Sequence, residues 1–265
     1  MEERRIKVGS ETYLISSDDQ YIKKIGEVFE PKTTKLISAL SNDENNTTAL
    51  DIGANIGLTA LLISQFYRKV IAFEASPSTF SLLSNNMVQN NVRNVECINV
   101  AAAEENGVGS ITVASWDRSS ASISGMNLPD PGHRHEPIIK RTLDGLLKGV
   151  VGVDFIKIET EGYEQEVISG SKELIFNFKP VILMEMNHWC LSAFRRRTVP
   201  DFMDFVCSSF PIVHAIQDDG YRSLADSRNR YSIMYDHILN RKFGLLVASF
   251  DDRRLHKFYE IYRKM

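Results

Sequence analysis

The sequence predicts a Rossmann-like, doubly wound α/β fold with a mainly parallel sheet and a small N-terminal extension. Three observations predict it. Apolar runs of strand length at 48–52, 69–73, 95–100, 153–158 and 180–184 alternate with helix-like segments, the pattern of a parallel sheet covered on both faces. One run, Ala49-Leu50-Asp51-Ile52, passes through Gly53-Ala54-Asn55-Ile56-Gly57 into Leu58-Thr59-Ala60-Leu61, which reads as strand, tight turn and helix. Acids stand at the run ends, at Asp51, Glu74, Glu159 and Glu185, and ligands of such sheets bind beyond the carboxyl ends of the strands.

Residues 1–20 are polar with short alternating runs and read as a hairpin or arm. Tyr21 to Leu40 has helical spacing that Pro31 divides in two. We place residues 1–40 in an N-terminal arm and 41–265 in the domain proper, after a polar loop at Ser41 to Asn46. Then come strand Thr48–Ile52, helix Leu58–Gln65, strand Lys69–Phe73, and helix Pro77–Asn90 with Ser76 as its cap. Strand Val95–Val100 and a short strand Ile111–Ala114 follow, and Ser115 to Pro137 reads as a long loop, a length that marks function or mobility. Beyond a short helix at Leu143–Leu147, strand Val153–Ile158, helix Tyr163–Ser169 and strand Pro180–Met184 complete the pattern. The tail offers strands at Ile212–Ile216 and Gly244–Ser249, and helices around Pro200–Cys207 and Met234–Arg241.

Composition removes several functions. The chain has 265 residues, 43% apolar and 25% charged, which is ordinary for a globular protein. A formal net charge of -3 is not the footprint of a nucleic-acid binder. Three widely spaced cysteines, Cys97, Cys190 and Cys207, give neither a disulfide framework nor a zinc-thiolate site. No run approaches the roughly 20 apolar residues of a membrane span, and no apolar segment follows the charged N-terminus. We expect a cytoplasmic protein without membrane or nucleic-acid partners. No motif addresses its oligomeric state.

The glycine turn narrows the ligand. A dinucleotide fingerprint would read G-x-G-x-x-G. Here the middle glycine is missing, and Asp51 precedes the turn. An acid there repels phosphate and suits an amine or hydroxyl, so S-adenosylmethionine, which has no phosphate, fits better than a nicotinamide dinucleotide. Gly53 lets the backbone pass close to a ligand, and Gly57 lets the helix pack close to the strand. Glu74 ends the next strand, 23 residues after Asp51, where a carboxylate accepts from both ribose hydroxyls of a nucleotide. Alternatives are a plain β-α turn, a nicotinamide oxidoreductase, or a cofactor-binding protein without catalysis.

From Thr48 to Asn187 the chain resembles class I S-adenosylmethionine-dependent methyltransferases, and more narrowly the FkbM family. The resemblance rests on Leu50-Asp51-Ile52-Gly53-Ala54-Asn55-Ile56-Gly57, Phe73-Glu74-Ala75-Ser76-Pro77, Asn99-Val100-Ala101-Ala102 and Arg141-Thr142-Leu143-Asp144. Its most specific stretch is Val153-Asp154-Phe155-Ile156-Lys157-Ile158-Glu159-Thr160-Glu161-Gly162-Tyr163-Glu164, and Pro180-Val181-Ile182-Leu183-Met184-Glu185 closes it. This chain has Glu159 where the family usually has Asp. The resemblance implies Asp51, Gly53, Asn55, Gly57, Glu74, Ala101 and Ala102 as cofactor residues, and O-methylation of a sugar, glycan or natural-product hydroxyl. Glu159, Glu185 and Asn187 also resemble the oxygen-ligand set of magnesium-dependent O-methyltransferases, so a divalent metal is a further expectation.

The reaction centre should gather around Lys157, a cation inside an apolar strand that is costly there unless paired. Alternation puts Lys157 and Glu159 on one side. They either face the transferred methyl, one helping to deprotonate a hydroxyl, or form a structural ion pair. Glu161 either caps the next helix or reaches substrate, and Gly162 would let that helix start close to the ligand. Glu185 and Asn187 are candidate substrate ligands, and His188 a candidate base. His133, Arg134 and His135, with Trp116 and Asp117, form either a lid over the acceptor or simply an exposed loop. Arg195-Arg196-Arg197 is either a solvated helix end or a contact for an anionic acceptor.

Overall fold

The computed structural model describes residues 1–18, 20–41, 46–114, 121, 123 and 132–265. An antiparallel hairpin, β1 (Glu2–Val8) and β2 (Glu11–Ser17), leads into α1 (Tyr21–Ile25) and α2 (Pro31–Leu40). Pro31 opens α2, where its missing N–H costs nothing.

Among the described residues the main sheet has nine strands. On one side lie β3 (Thr48–Ile52), β4 (Lys69–Phe73) and β5 (Val95–Ile98), paired outward in that order. On the other side of β3 come β9 (Phe155–Ile158) and β10 (Val181–Glu185). These five are parallel, and β3, β9 and most of β10 are fully buried, which explains their unbroken apolar runs. Beyond β10 the sheet turns antiparallel through β13 (Leu245–Ser249), β11 (Ile212–Gln217) and β12 (Gly220–Ser223). A two-residue edge strand, β14 (Arg263–Lys264), runs parallel to β12.

Helices cover both faces. The hairpin and α2 share one core with α3 (Leu58–Ile63) and α4 (Pro77–Gln89): Ile6, Ile15 and Phe29 belong to the same buried cluster as Leu61 and Leu83. The cluster on the other face joins Leu50 and Ile156 to α6 (Glu164–Ser169), α7 (Lys172–Phe178), α9 (Val199–Ser209) and α10 (Ser227–Asn240). As the sequence suggests, Ser76 caps α4 by accepting from the Thr79 amide at 3.2 Å.

The end of one expected loop, from His133 to Pro137, belongs to a strand. β6 (Ala101–Ala102), β7 (Gly107–Ala114) and β8 (His133–Arg141) make a second, three-stranded sheet. His133, Arg134, His135 and Pro137 therefore sit on β8, while Trp116 and Asp117 lie outside the described residues. β8 leaves no strand signal in the sequence because only Ile138 of it is buried and it lacks an apolar rhythm. Its proline is tolerated because β6 pairs only with Lys140 and Arg141, leaving one edge open at Pro137.

Candidate active site

The chain order reverses at β3, which has the early strand β4 on one flank and the late strand β9 on the other. Ligands of doubly wound sheets bind at such a switch point. A cavity of about 300 Å³ lies there. Ile52 to Ile56, Phe73 to Ala75, Val100 to Ala102, and Glu159 to Glu161 line it, closed by Tyr21, Phe29 and Glu30 from the N-terminal segment. A second cavity of about 250 Å³ shares Glu30, Thr59, Lys157 and Glu159 with the first and adds Thr33 and Glu185.

The turn is held from within. The Glu74 carboxylate accepts from the backbone amides of Asn55 and Ser76, both at 2.9 Å. Burial pushes this carboxyl up to about 7, against those two hydrogen bonds. Asn55 has φ +50, a left-handed conformation that Asn tolerates better than most residues. Its Oδ1 is buried without a hydrogen-bond partner beside the first cavity. Gly53, at φ +79, answers a different demand from the one anticipated: a Cβ there would stand 1.9 Å from the Glu159 carbonyl oxygen. What approaches Gly53 is the β9 loop. At Gly57 the close approach is not to the strand but to α4, since a Cβ would meet the Met87 and Leu83 side chains.

Lys157 is the centre of the charge network. Its Nζ lies 3.3 Å from Asp51, 3.1 Å from Glu159, and donates to the Gly53 carbonyl at 3.1 Å. Burial alone would lower the amine. The Asp51 and Glu159 carboxylates outweigh it and hold Lys157 above its ordinary value, so it stays an ammonium. Asp51 is fully buried behind the cavity wall and does not line it. Burial pushes its carboxyl up, and Lys157 pulls against that.

A second acidic group surrounds β10. Burial, then the charges of Glu161 and Glu159, raise Glu185 to about 9, and its Oε2 has no hydrogen-bond partner. Burial also raises Glu161 to about 7, while the Cys190 thiol donates to it at 2.8 Å. Glu161 lines the first cavity and does not cap α6. Glu164 organises that loop instead, accepting from the Thr160 and Gly162 amides. The close approach at Gly162 is to the Cys190 backbone and not to a ligand.

Other anticipated residues fall elsewhere. Ala101 and Ala102 line the first cavity. Asn187 lines neither cavity and caps α8 (His188–Arg195), its Oδ1 accepting from the Cys190 amide. The His188 ring packs edge-on against His237, outside both linings. Arg195 stacks over the Tyr163 ring at 4.2 Å and donates to the Ile123 carbonyl, and Arg197 pairs with Glu166 at 2.9 Å. Arg195 and Arg197 thus bind the protein itself, and Arg196 is exposed. Among the described residues no three His, Cys, Asp or Glu side chains converge as metal ligands, and the set of Glu159, Glu185 and Asn187 does not fit a divalent cation. The residues that sequence reasoning missed are Tyr21, Phe29, Glu30, Thr33 and Thr59. They belong to no motif and reach the site only by folding.

The chain is similar to several known proteins. The methyltransferase "Methyltransferase 1" of Beauveria bassiana (strain ARSEF 2860) is 27% identical over 141 residues, 46% of this chain and 57% of that protein. The chain therefore spans little more than half the length of this curated relative. The solved methyltransferase FkbM from Methylobacillus flagellatus KT superposes with a TM-score of 0.48 at 14% identity, over 77% of this chain and 43% of that one. An O-methyltransferase from Bacillus cereus, solved in complex with SAH, gives 0.45 at 13% identity over 89% and 92%. Neither likeness is close enough to carry a substrate across. The model of the methyltransferase FkbM domain, however, matches residues 51–223, more than half of the sequence and all of the first cavity's strand-borne walls, and so the chain belongs to the FkbM methyltransferase family.

Proposed function

We propose that the protein transfers a methyl group from S-adenosylmethionine to a hydroxyl oxygen of a sugar, glycan or natural-product acceptor. The supporting observation is the pair of adjoining cavities that share Lys157 and Glu159. One takes the cofactor and the other the acceptor. The cofactor supplies an electrophilic methyl on a sulfonium. Its cavity fits such a group: the lining is acidic and phosphate-repelling, Glu74 has lone pairs beyond its two backbone bonds, and Asn55 Oδ1 is a buried acceptor without a donor.

The chain's own groups then divide the work. Gly53, Asn55, Glu74, Ala101 and Ala102 hold and orient the cofactor. Asp51 fixes Lys157, and Lys157 positions Glu159. An ammonium cannot accept a proton, so Glu159 is the group that takes one from the acceptor hydroxyl. Its carboxylate is half exposed at the boundary of the two cavities. Positioning of the reactants supplies most of the rate gain, and the base adds about 10²–10⁴-fold.

Calorimetry with S-adenosylhomocysteine on the wild type and on Glu74→Ala, with turnover of Glu159→Gln, tests this. Wild-type binding, its loss in Glu74→Ala, and a Glu159→Gln variant that binds but turns over at least about 100-fold more slowly are expected. Undiminished binding by Glu74→Ala, or undiminished turnover by Glu159→Gln, removes that residue from its assigned role.

A further inference from the structure

The second cavity has a chemistry of its own. Among the described residues lining the two cavities, Lys157 is the one basic side chain, against Glu30, Glu74, Glu159, Glu161 and Glu185. An ammonium has three N–H groups, and Lys157 has three partners: Asp51, Glu159 and the Gly53 carbonyl. Among the described residues lining the cavities no cation is left to meet an anion. Of the basic residues around the site, Lys32, between Glu30 and Thr33, pairs with Asp218, and Arg195 and Arg197 are engaged by Tyr163, the Ile123 carbonyl and Glu166. The acceptors of hydrogen bonds, by contrast, are plentiful. Glu185 Oε2 is buried at the cavity wall without a partner. The Glu30 carboxylate, which also lines this cavity, accepts from the Thr33 hydroxyl at 2.8 Å. Glu30 and Thr33 come from the start of α2, a segment outside the family match at 51–223.

Resting on the methyl-transfer reading of this site, we infer that the acceptor is a neutral or amine-bearing polyol and that acceptors carrying a carboxylate, phosphate or sulfate are excluded. Glu30 and Thr33 are the residues that impose this choice. The N-terminal segment is therefore a specificity wall of the acceptor cavity. A hydroxyl or ammonium group of the acceptor donates to Glu30 and Glu185, while an acidic group would face the Glu30 carboxylate in a cavity whose one basic side chain among the described residues, Lys157, is already engaged.

The test is saturation-transfer NMR on the S-adenosylhomocysteine-loaded protein with three probes: methyl glucoside, methyl glucosaminide and methyl glucuronide. Signals from the first two and none from the glucuronide are expected. In Glu30→Lys the ratio of glucuronide to glucosaminide binding should rise by at least about tenfold, and Thr33→Val should weaken the neutral glycoside. Equal binding of the glucuronide by the wild type, no binding of either other glycoside, or an unchanged ratio in Glu30→Lys overturns the inference. Calorimetry of S-adenosylhomocysteine separates the two readings. If it binds and the glycosides behave otherwise, the acceptor inference alone fails. If it does not bind, the methyl-transfer reading fails with it.

Discussion

Lys157→Met is the most informative single change. The side chain is 7% exposed and Asp51 is 0% exposed, so methionine replaces the stem but leaves a carboxylate without its counter-charge. At 3.3 Å and an effective dielectric of about 20, the pair's gross attraction is roughly 5 kcal/mol. Desolvation of both ions offsets much of that in the intact pair. Breaking the pair is another matter, because Asp51 must then stay charged in an apolar interior or take up a proton. Such a change costs about 3–5 kcal/mol, a large part of the roughly 5–15 kcal/mol of a typical fold. The Glu159 partner adds little, being half exposed. Urea unfolding at neutral pH, followed by circular dichroism, measures the loss. The double variant Asp51→Asn, Lys157→Met should regain at least about 1 kcal/mol over the single one, because both charges are then gone. A loss below about 1 kcal/mol, or strict additivity of the two changes, would refute the view that this pair holds β3 to β9.

Two further predictions concern stability. Glu74 and Glu185 are raised in the fold to about 7 and about 9 from an ordinary 4.5. The folded state therefore binds their protons more tightly than the unfolded chain does. Their contribution is complete below about pH 4.5 and is lost as pH rises through 7 and then 9. Each bound proton costs at most about 1.4 kcal/mol per pH unit across its window. Stability should fall from pH 5 to 9, and Glu185→Gln should flatten that slope, gaining on the order of 1 kcal/mol at the alkaline end. A pH-independent midpoint of chemical unfolding in the wild type would exclude this. Gly53→Ala should destabilise by about 1–3 kcal/mol, since its φ is +79 and a Cβ collides with the Glu159 carbonyl. It should also weaken S-adenosylhomocysteine binding. Wild-type stability in a thermal melt would show that the turn and the β9 loop are not in contact.

Much of the fold was legible because its signals are local. The limits of β3 and β4 were read correctly from apolar runs, and the start of α4 from Ser76 and Pro77. Burial on both faces writes itself into a parallel strand as an uninterrupted apolar run. β8 has no such run and finds its partner β7 beyond a long connection, so pairing alone makes it a strand. The site divides in the same way. The glycine turn and the strand-terminal acids were visible, whereas the roles of individual groups were not. Asn187 became a helix cap, Glu161 took the Cys190 thiol, and the His188 ring turned to His237, 49 residues away.

By itself the sequence determined a doubly wound sheet, a turn unsuited to phosphate and the family, because strand periodicity and turn chemistry act between near neighbours in the chain. Only the tertiary structure decided which carboxylate meets Lys157, which acids lose water and hold their protons, and that the N-terminal segment closes both cavities. Those outcomes depend on distance and dielectric between groups far apart in sequence, such as Asp51 and Lys157 on adjacent strands or Glu30 and Glu185 lining one cavity.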